Sequence, residues 1–95
     1  MRDLTFKWDN DKNLANQKKH NISFEEAQTV FLDDSAKLIH DPDHSETEDR
    51  FILIGLSSTL RLLVVVHAYK AQDEIIRIIS ARKATKQESK MYIKR

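Results

Sequence analysis

Arg50, Arg61, His67, Arg77 and Arg82 stand in the apolar second half of the chain. Arg77 interrupts the run Ile75-Ile76-Arg77-Ile78-Ile79. Ionised side chains in strands of that character are seldom buried unless paired. Arg77 therefore either pairs with a carboxylate or faces an anionic ligand. Arginine makes planar, bidentate contacts to phosphate, and fixed cations act where charge develops in a transition state. Histidine gives or takes a proton near neutrality. If they converge, these five residues suit metal-free cleavage of RNA. That reaction needs a deprotonated 2′-hydroxyl, a stabilised phosphate charge and a protonated leaving oxygen. Plainer roles stand beside this one: a salt bridge to the acidic half for Arg77, a hydrogen-bonded strand-end histidine for His67, and core packing for Tyr92.

A second constellation, His40-Asp41-Pro42-Asp43-His44, places two His and two Asp in five residues and could ligate a divalent metal. Its spacing matches no strong motif, and Pro42 places it in a loop. A turn stabilised by Asp side chains is the favoured reading, so no metal and no cofactor is expected.

Charge sharpens the case for a polyanion. The net charge of +1 conceals six basic against twelve acidic residues over 1–49, and seven basic residues against Glu88 alone over 77–95. Such asymmetry points the basic part toward a polyanion, or describes only a solvated helix face. There are no cysteines, which excludes a disulfide framework or thiolate zinc site. The longest apolar run, Leu62 to Val66, is strand-sized, far short of a membrane span. No signal-peptide pattern opens the chain. The expectation is a single domain over residues 1–95, cytoplasmic and without a membrane partner.

The elements that must position these residues follow from local pattern. Thr5 to Trp8 reads as a short strand. Asp9 caps a polar helix from Asn10 to about His20, which Asn21 ends in the left-handed conformation. Ser23-Phe24-Glu25-Glu26 is a capping box opening a second helix to about Leu32, with Phe24, Ala27, Val30 and Phe31 on its inner face. Ala36 to His40 is a strand. Arg50 to Ser57 and Arg61 to Tyr69 form a hairpin joined at Ser58-Thr59, and Ile75 to Ala81 is a further strand. Thr85-Lys86-Gln87-Glu88 is a second capping box, opening a helix through Met91, Tyr92 and Ile93. The fold class is α+β, with order β-α-α-β-β-β-β-α, a mostly antiparallel sheet, and helices on one face leaving the other open. Strict alternation puts Arg61, Leu63, Val65, His67 and Tyr69 on one face of their strand. It puts Arg77 on the side opposite to Ser80 and Arg82.

Four stretches together resemble one family: Phe6-Lys7-Trp8-Asp9, Lys19 to Ala27 (KHNISFEEA), Asp41 to Glu46 (DPDHSE) and Arg77 to Thr85 (RIISARKAT). In this order they are similar to the BrnT family of bacterial type II toxins, from Phe6 to about Tyr92. The resemblance implies a RelE-like ribonuclease fold and a toxin that cleaves RNA and arrests growth or translation. It also implies a BrnA-type antitoxin partner with a DNA-binding domain, so that operator DNA is met only through the antitoxin in an autorepressing complex. Matching segments carry over Arg50, His67, Arg77, Ser80 and Arg82 as catalytic candidates. Lys7, Trp8, Arg61, Lys83, Lys86 and Lys90 are the candidates for RNA binding. Lys7 departs from the family's usual acidic residue and Asn21 from its frequent glycine. A non-catalytic co-repressor or protein-binding module is the alternative, and no helix-turn-helix argues for direct DNA reading.

Overall fold

The computed structural model describes residues 4–41, 48–70 and 74–93. Among these, β1 (Thr5–Lys7), α1 (Asn10–His20), α2 (Phe24–Thr29), a 3-10 turn (Val30–Leu32), β2 (Lys37–Asp41), β3 (Arg50–Leu56), β4 (Leu62–Lys70), β5 (Ile75–Lys83) and α3 (Lys86–Ile93) follow in order. The five strands form one sheet in the order β1-β5-β4-β3-β2. Only the β1–β5 pairing is parallel; the other three are antiparallel. The α+β class and the element order are those expected. The proposed Asp41–Glu46 loop lies, beyond Asp41, outside the described residues, as does His44. His40 sets its ring edge-on to Phe51 and its Nε2 3.6 Å from Asp49 Oδ1.

Local chemistry fixes the helix ends. Asp9 accepts from the Asp11 and Lys12 amides, and Asn21 sits at φ 58° with its amide donating to Gln17 O. Ser23 Oγ accepts from the Glu26 amide at 3.0 Å. The Glu26 carboxylate does not return to Ser23; it is drawn into a tertiary network described below. At α3 the box closes in both directions: Glu88 N donates to Thr85 Oγ1 and Thr85 N to Glu88 Oε1.

The principal core lies between α2, the 3-10 turn and one sheet face. Ile22, Phe24, Ala27 and Val30 meet Leu53, Leu63, Val65, Ile76, Ile78 and Ala81. Each fully buried aliphatic or Phe side chain there contributes about 1.5–3 kcal/mol relative to exposure. The polar helix α1 docks differently. Its Leu14 is exposed, while Asn13 and Asn16 are buried. Asn16 donates to Ile22 O and Ala81 O and accepts from the Ala81 amide, which clamps α1 onto β5. Asn13 accepts from the Phe24 amide, joining α1 to α2.

Residues in register point to the same face. The second face therefore carries Ile54, Val64 and Ala68, all buried. The helix-on-one-face arrangement holds for α1 and α2. α3 is tied to the second face near β3, where Glu88 grips Arg82, the register partner of Val64.

One irregularity redirects the site. β4 and β5 pair as Val66↔Ser80 and then His67↔Ile78, so Ile79 is an extra residue in β5. A β-bulge of this kind breaks strict alternation. It returns Ser80 and Arg82 to the same face as Arg77, correcting the expectation that they stand on opposite sides.

Candidate functional site

A row of residues in register crosses all five strands on the second face: Lys7, Arg77, Ala68, Arg50 and Asp41. Adjacent strands lie about 4.8 Å apart, so Arg77 and Arg50 flank Ala68 at roughly 5 Å on either side. Ala68 is small and buried, leaving a floor between two longer cations.

Glu48, just ahead of β3, reaches into this row. Arg77 Nη2 donates to Glu48 Oε1, and Arg50 Nε lies 3.9 Å from the same oxygen. Lys70 Nζ lies 3.6 Å from Oε2. Among the described residues, three cations thus gather around the Glu48 carboxylate. Among the described residues, nothing accepts a hydrogen bond from the buried Nε of Arg77. Glu48 and Lys70 were missed from sequence. Lys70 was legible in principle, because it shares parity with Ala68 at the end of β4. Glu48 was not, because its role depends on how an acidic loop returns to the sheet.

The other expected residues fall elsewhere. His67 is fully buried on the opposite face. Its Nδ1 lies 3.1 Å from Val65 O and its Nε2 3.2 Å from the Tyr69 hydroxyl. Phe31 and Tyr69 pack edge-on to its ring, with centroids 4.8 and 5.2 Å away. Burial pushes its pKa down, opposed in part by the Val65 carbonyl. The sheet separates it from Arg77, so the expected convergence of His67 with the arginines does not occur.

Arg61 is bound to Glu26. Its Nε donates to Glu26 Oε2 at 2.9 Å and its Nη2 to Oε1, while the Ser57 and Thr59 hydroxyls donate to Oε2 at 2.7 and 2.6 Å. This network pins α2 to the β3–β4 turn. The Arg61 guanidinium, with those hydroxyls, holds the Glu26 carboxyl down at about 2. Arg82 forms a two-pronged pair with Glu88, at 2.7 and 2.8 Å, which lowers the Glu88 pKa to about 2. Ser80 is half-buried on the second face, beside Val66. Trp8 is partly buried and packs on the core, with its ring edge-on to Phe24 at 6.1 Å. Lys7, Lys83, Lys86 and Lys90 are exposed. The Tyr92 hydroxyl donates to Asp33 Oδ2 at 2.7 Å, adding a hydrogen bond to the expected packing.

Behind the row, at the same end of the sheet, a cleft of about 590 Å³ opens among Leu4, Phe31, Leu38, Asp49, Phe51, Tyr69 and Ile76. Its members Ile76 and Tyr69 are chain neighbours of Arg77 and Ala68, turned to the opposite side by strand alternation, and Asp49, just ahead of β3, lines the same cleft.

Among the described residues no helix is long and apolar enough to cross a membrane. No curated protein matches the chain in sequence. The fold is similar to that in the 1.1 Å crystal structure of the Brucella abortus ribonuclease toxin BrnT, with a TM-score of 0.65 at 24% identity over 88% of this chain and 100% of that one. The family model for the ribonuclease toxin BrnT of type II toxin–antitoxin systems matches residues 8–88. With that match over most of its length, the chain belongs to the BrnT family of ribonuclease toxins of type II toxin–antitoxin systems.

Proposed function

We propose that this protein is an endoribonuclease toxin that cleaves RNA without a metal ion, using the cation row on the second sheet face. The observation that carries the reading is the gathering of Arg77, Arg50 and Lys70 around one carboxylate, with Lys7 next in register. Cleavage through a 2′-oxygen adds charge to the phosphate, and fixed guanidinium groups on a rigid sheet stabilise that charge without reorganising. Arg77 is the principal phosphate contact and Arg50 the second. These fixed cations neutralise the phosphate charge that a metal would otherwise neutralise. Arg82, fastened to Glu88, shapes the far end of the same face, and Ser80 lies between them. Lys83, Lys86 and Lys90 draw in the RNA backbone. His67 belongs to the packing of the opposite face, and Arg61 to the fold.

The same reading gives the toxin a BrnA-type antitoxin with a DNA-binding domain, acting in the cytoplasm. The complex would meet operator DNA through the antitoxin and repress its own operon. The family's place in type II toxin–antitoxin systems supports this assignment.

Purified protein should cleave RNA in EDTA, and Arg77→Ala should abolish cleavage while staying folded. Equal cleavage by the variant would remove Arg77 from the reaction. One observation favours a second reading, a non-catalytic co-repressor: Arg61, Arg77 and Arg82 are each paired with a glutamate. Expression without the antitoxin separates the two, because a co-repressor leaves growth unaffected and a nuclease arrests it.

A further inference from the structure

We propose that the Glu48 carboxylate occupies the seat of a phosphodiester group, and that nucleic-acid phosphate binds the Arg50–Arg77 row by exchanging with it. The inference deepens the ribonuclease reading and rests on it only for the identity of the molecule carrying the phosphate.

Glu48 and a phosphodiester present the same face to cations: two terminal oxygens sharing one negative charge. Around Glu48 the match is already built. Arg77 donates to one oxygen with Arg50 Nε 3.9 Å from it, and Lys70 approaches the other at 3.6 Å. The cations and the carboxylate differ in how firmly they are held. Arg50, Lys70 and Arg77 belong to strands whose backbones are fixed by the ladder, whereas Glu48 precedes β3 and lies outside any strand. The carboxylate is therefore the partner that can leave.

The fit of Glu48 is also incomplete. The Nε of Arg77 is buried, and nothing among the described residues accepts from it. A phosphodiester brings further acceptor oxygens and can take Nε and an Nη of one guanidinium together, the favoured two-pronged geometry. Ala68, between the two arginines in register, puts no long side chain in competition for that seat. Binding is then a competition. While Glu48 holds the seat, the apparent affinity for RNA falls in proportion to the small fraction of molecules with the seat open.

The test uses the full chain as wild type, Glu48→Gln, Arg77→Ala and the double variant, with Asp49→Asn as a control for general charge. Asp49 neighbours Glu48 but lines the cleft on the opposite side. The probe is a short RNA blocked at every 2′-oxygen by methylation, with binding read by fluorescence anisotropy. Unmodified RNA is followed in parallel for cleavage. Glu48→Gln should bind about tenfold tighter than wild type. Asp49→Asn should change affinity little, and the gain should vanish in the Arg77→Ala background. Unchanged or weaker binding by Glu48→Gln overturns the exchange, as does a gain that survives loss of Arg77. If Glu48→Gln fails to fold by circular dichroism, Glu48→Asp, whose shorter arm retracts the carboxylate, should show a smaller gain in the same direction, and no gain overturns the proposal. Cleavage by wild type and not by Arg77→Ala, without tightening by Glu48→Gln, sinks this proposal alone. Tightening without cleavage by any variant sinks the nuclease reading alone. No binding by any variant sinks both.

Discussion

Arg50 and Arg77 stand on either side of Ala68, each in register with it from a different strand. The two arginines thereby share a sheet face with one small buried side chain between them, and both approach Glu48. No stretch of fewer than 28 residues of the chain contains both arginines, so the hairpin and the following strand are what join them.

Removing Arg77 should cost RNA cleavage about 10²–10³-fold, the range for losing one fixed donor to a developing charge. Arg77→Lys should recover only part, since a point charge cannot reproduce a planar fork. Single-turnover cleavage and a thermal melt on the same preparations separate lost chemistry from lost folding.

His67 makes stability depend on pH. Burial lowers its folded-state pKa below the usual value of about 6.5. The unfolded chain therefore binds the proton more readily, and stability falls as pH drops below that value toward the folded pKa. Melting temperature should decline from pH 7.5 to pH 5 in the wild type and decline less in His67→Gln. A variant with the wild-type slope would show that another group controls it.

The Glu26 network should govern behaviour in acid. Its folded pKa of about 2 lies below the ordinary carboxylate value. Its contribution is present in full above that ordinary value and is lost as pH falls toward 2. Glu26→Gln should lower unfolding free energy at pH 7 by about 2 kcal/mol, the scale for hydrogen bonds to charged groups. Denaturant melts of both proteins at pH 7 and pH 3 should show the gap narrowing at the lower pH.

Two backbone positions offer changes of opposite sign. Gly55 is the single glycine of the chain. A Cβ there would lie 2.9 Å from both Ala36 Cβ and Val30 Cγ1. Gly55→Ala should destabilise by about 2 kcal/mol, within the range for overpacking. Leu60, exposed in the β3–β4 turn, sits at φ 64°. Leu60→Gly should stabilise by about 1 kcal/mol by relieving the left-handed strain. Equilibrium denaturation measures both.

Much of this molecule was legible locally. Asp9, Asn21, Ser23 and Thr85 mark helix ends through side-chain chemistry that acts within four residues, and each does so here. Continuous β-branched and apolar runs placed β3, β4 and β5 within about two residues. The reading of α1 was incomplete for a physical reason: its sparse apolar residues say little, because asparagine hydrogen bonds rather than apolar contacts hold it to β5.

The sequence by itself determined the order of the elements and their ends to within about three residues, and that Arg77 needs an anionic partner. Only the tertiary structure decided which partner, and which face. The extra residue at Ile79 is seen only against the register of β4, and it reverses the alternation beyond it. It sets Arg77, Ser80 and Arg82 on one side, and leaves His67 sealed on the other. Pairing is equally non-local: Glu26, Glu48 and Glu88 lie 35, 29 and 6 residues from the arginines they hold. Local propensity carries no information across such separations. Strand register does, because it fixes which side chains face the same few ångströms of space.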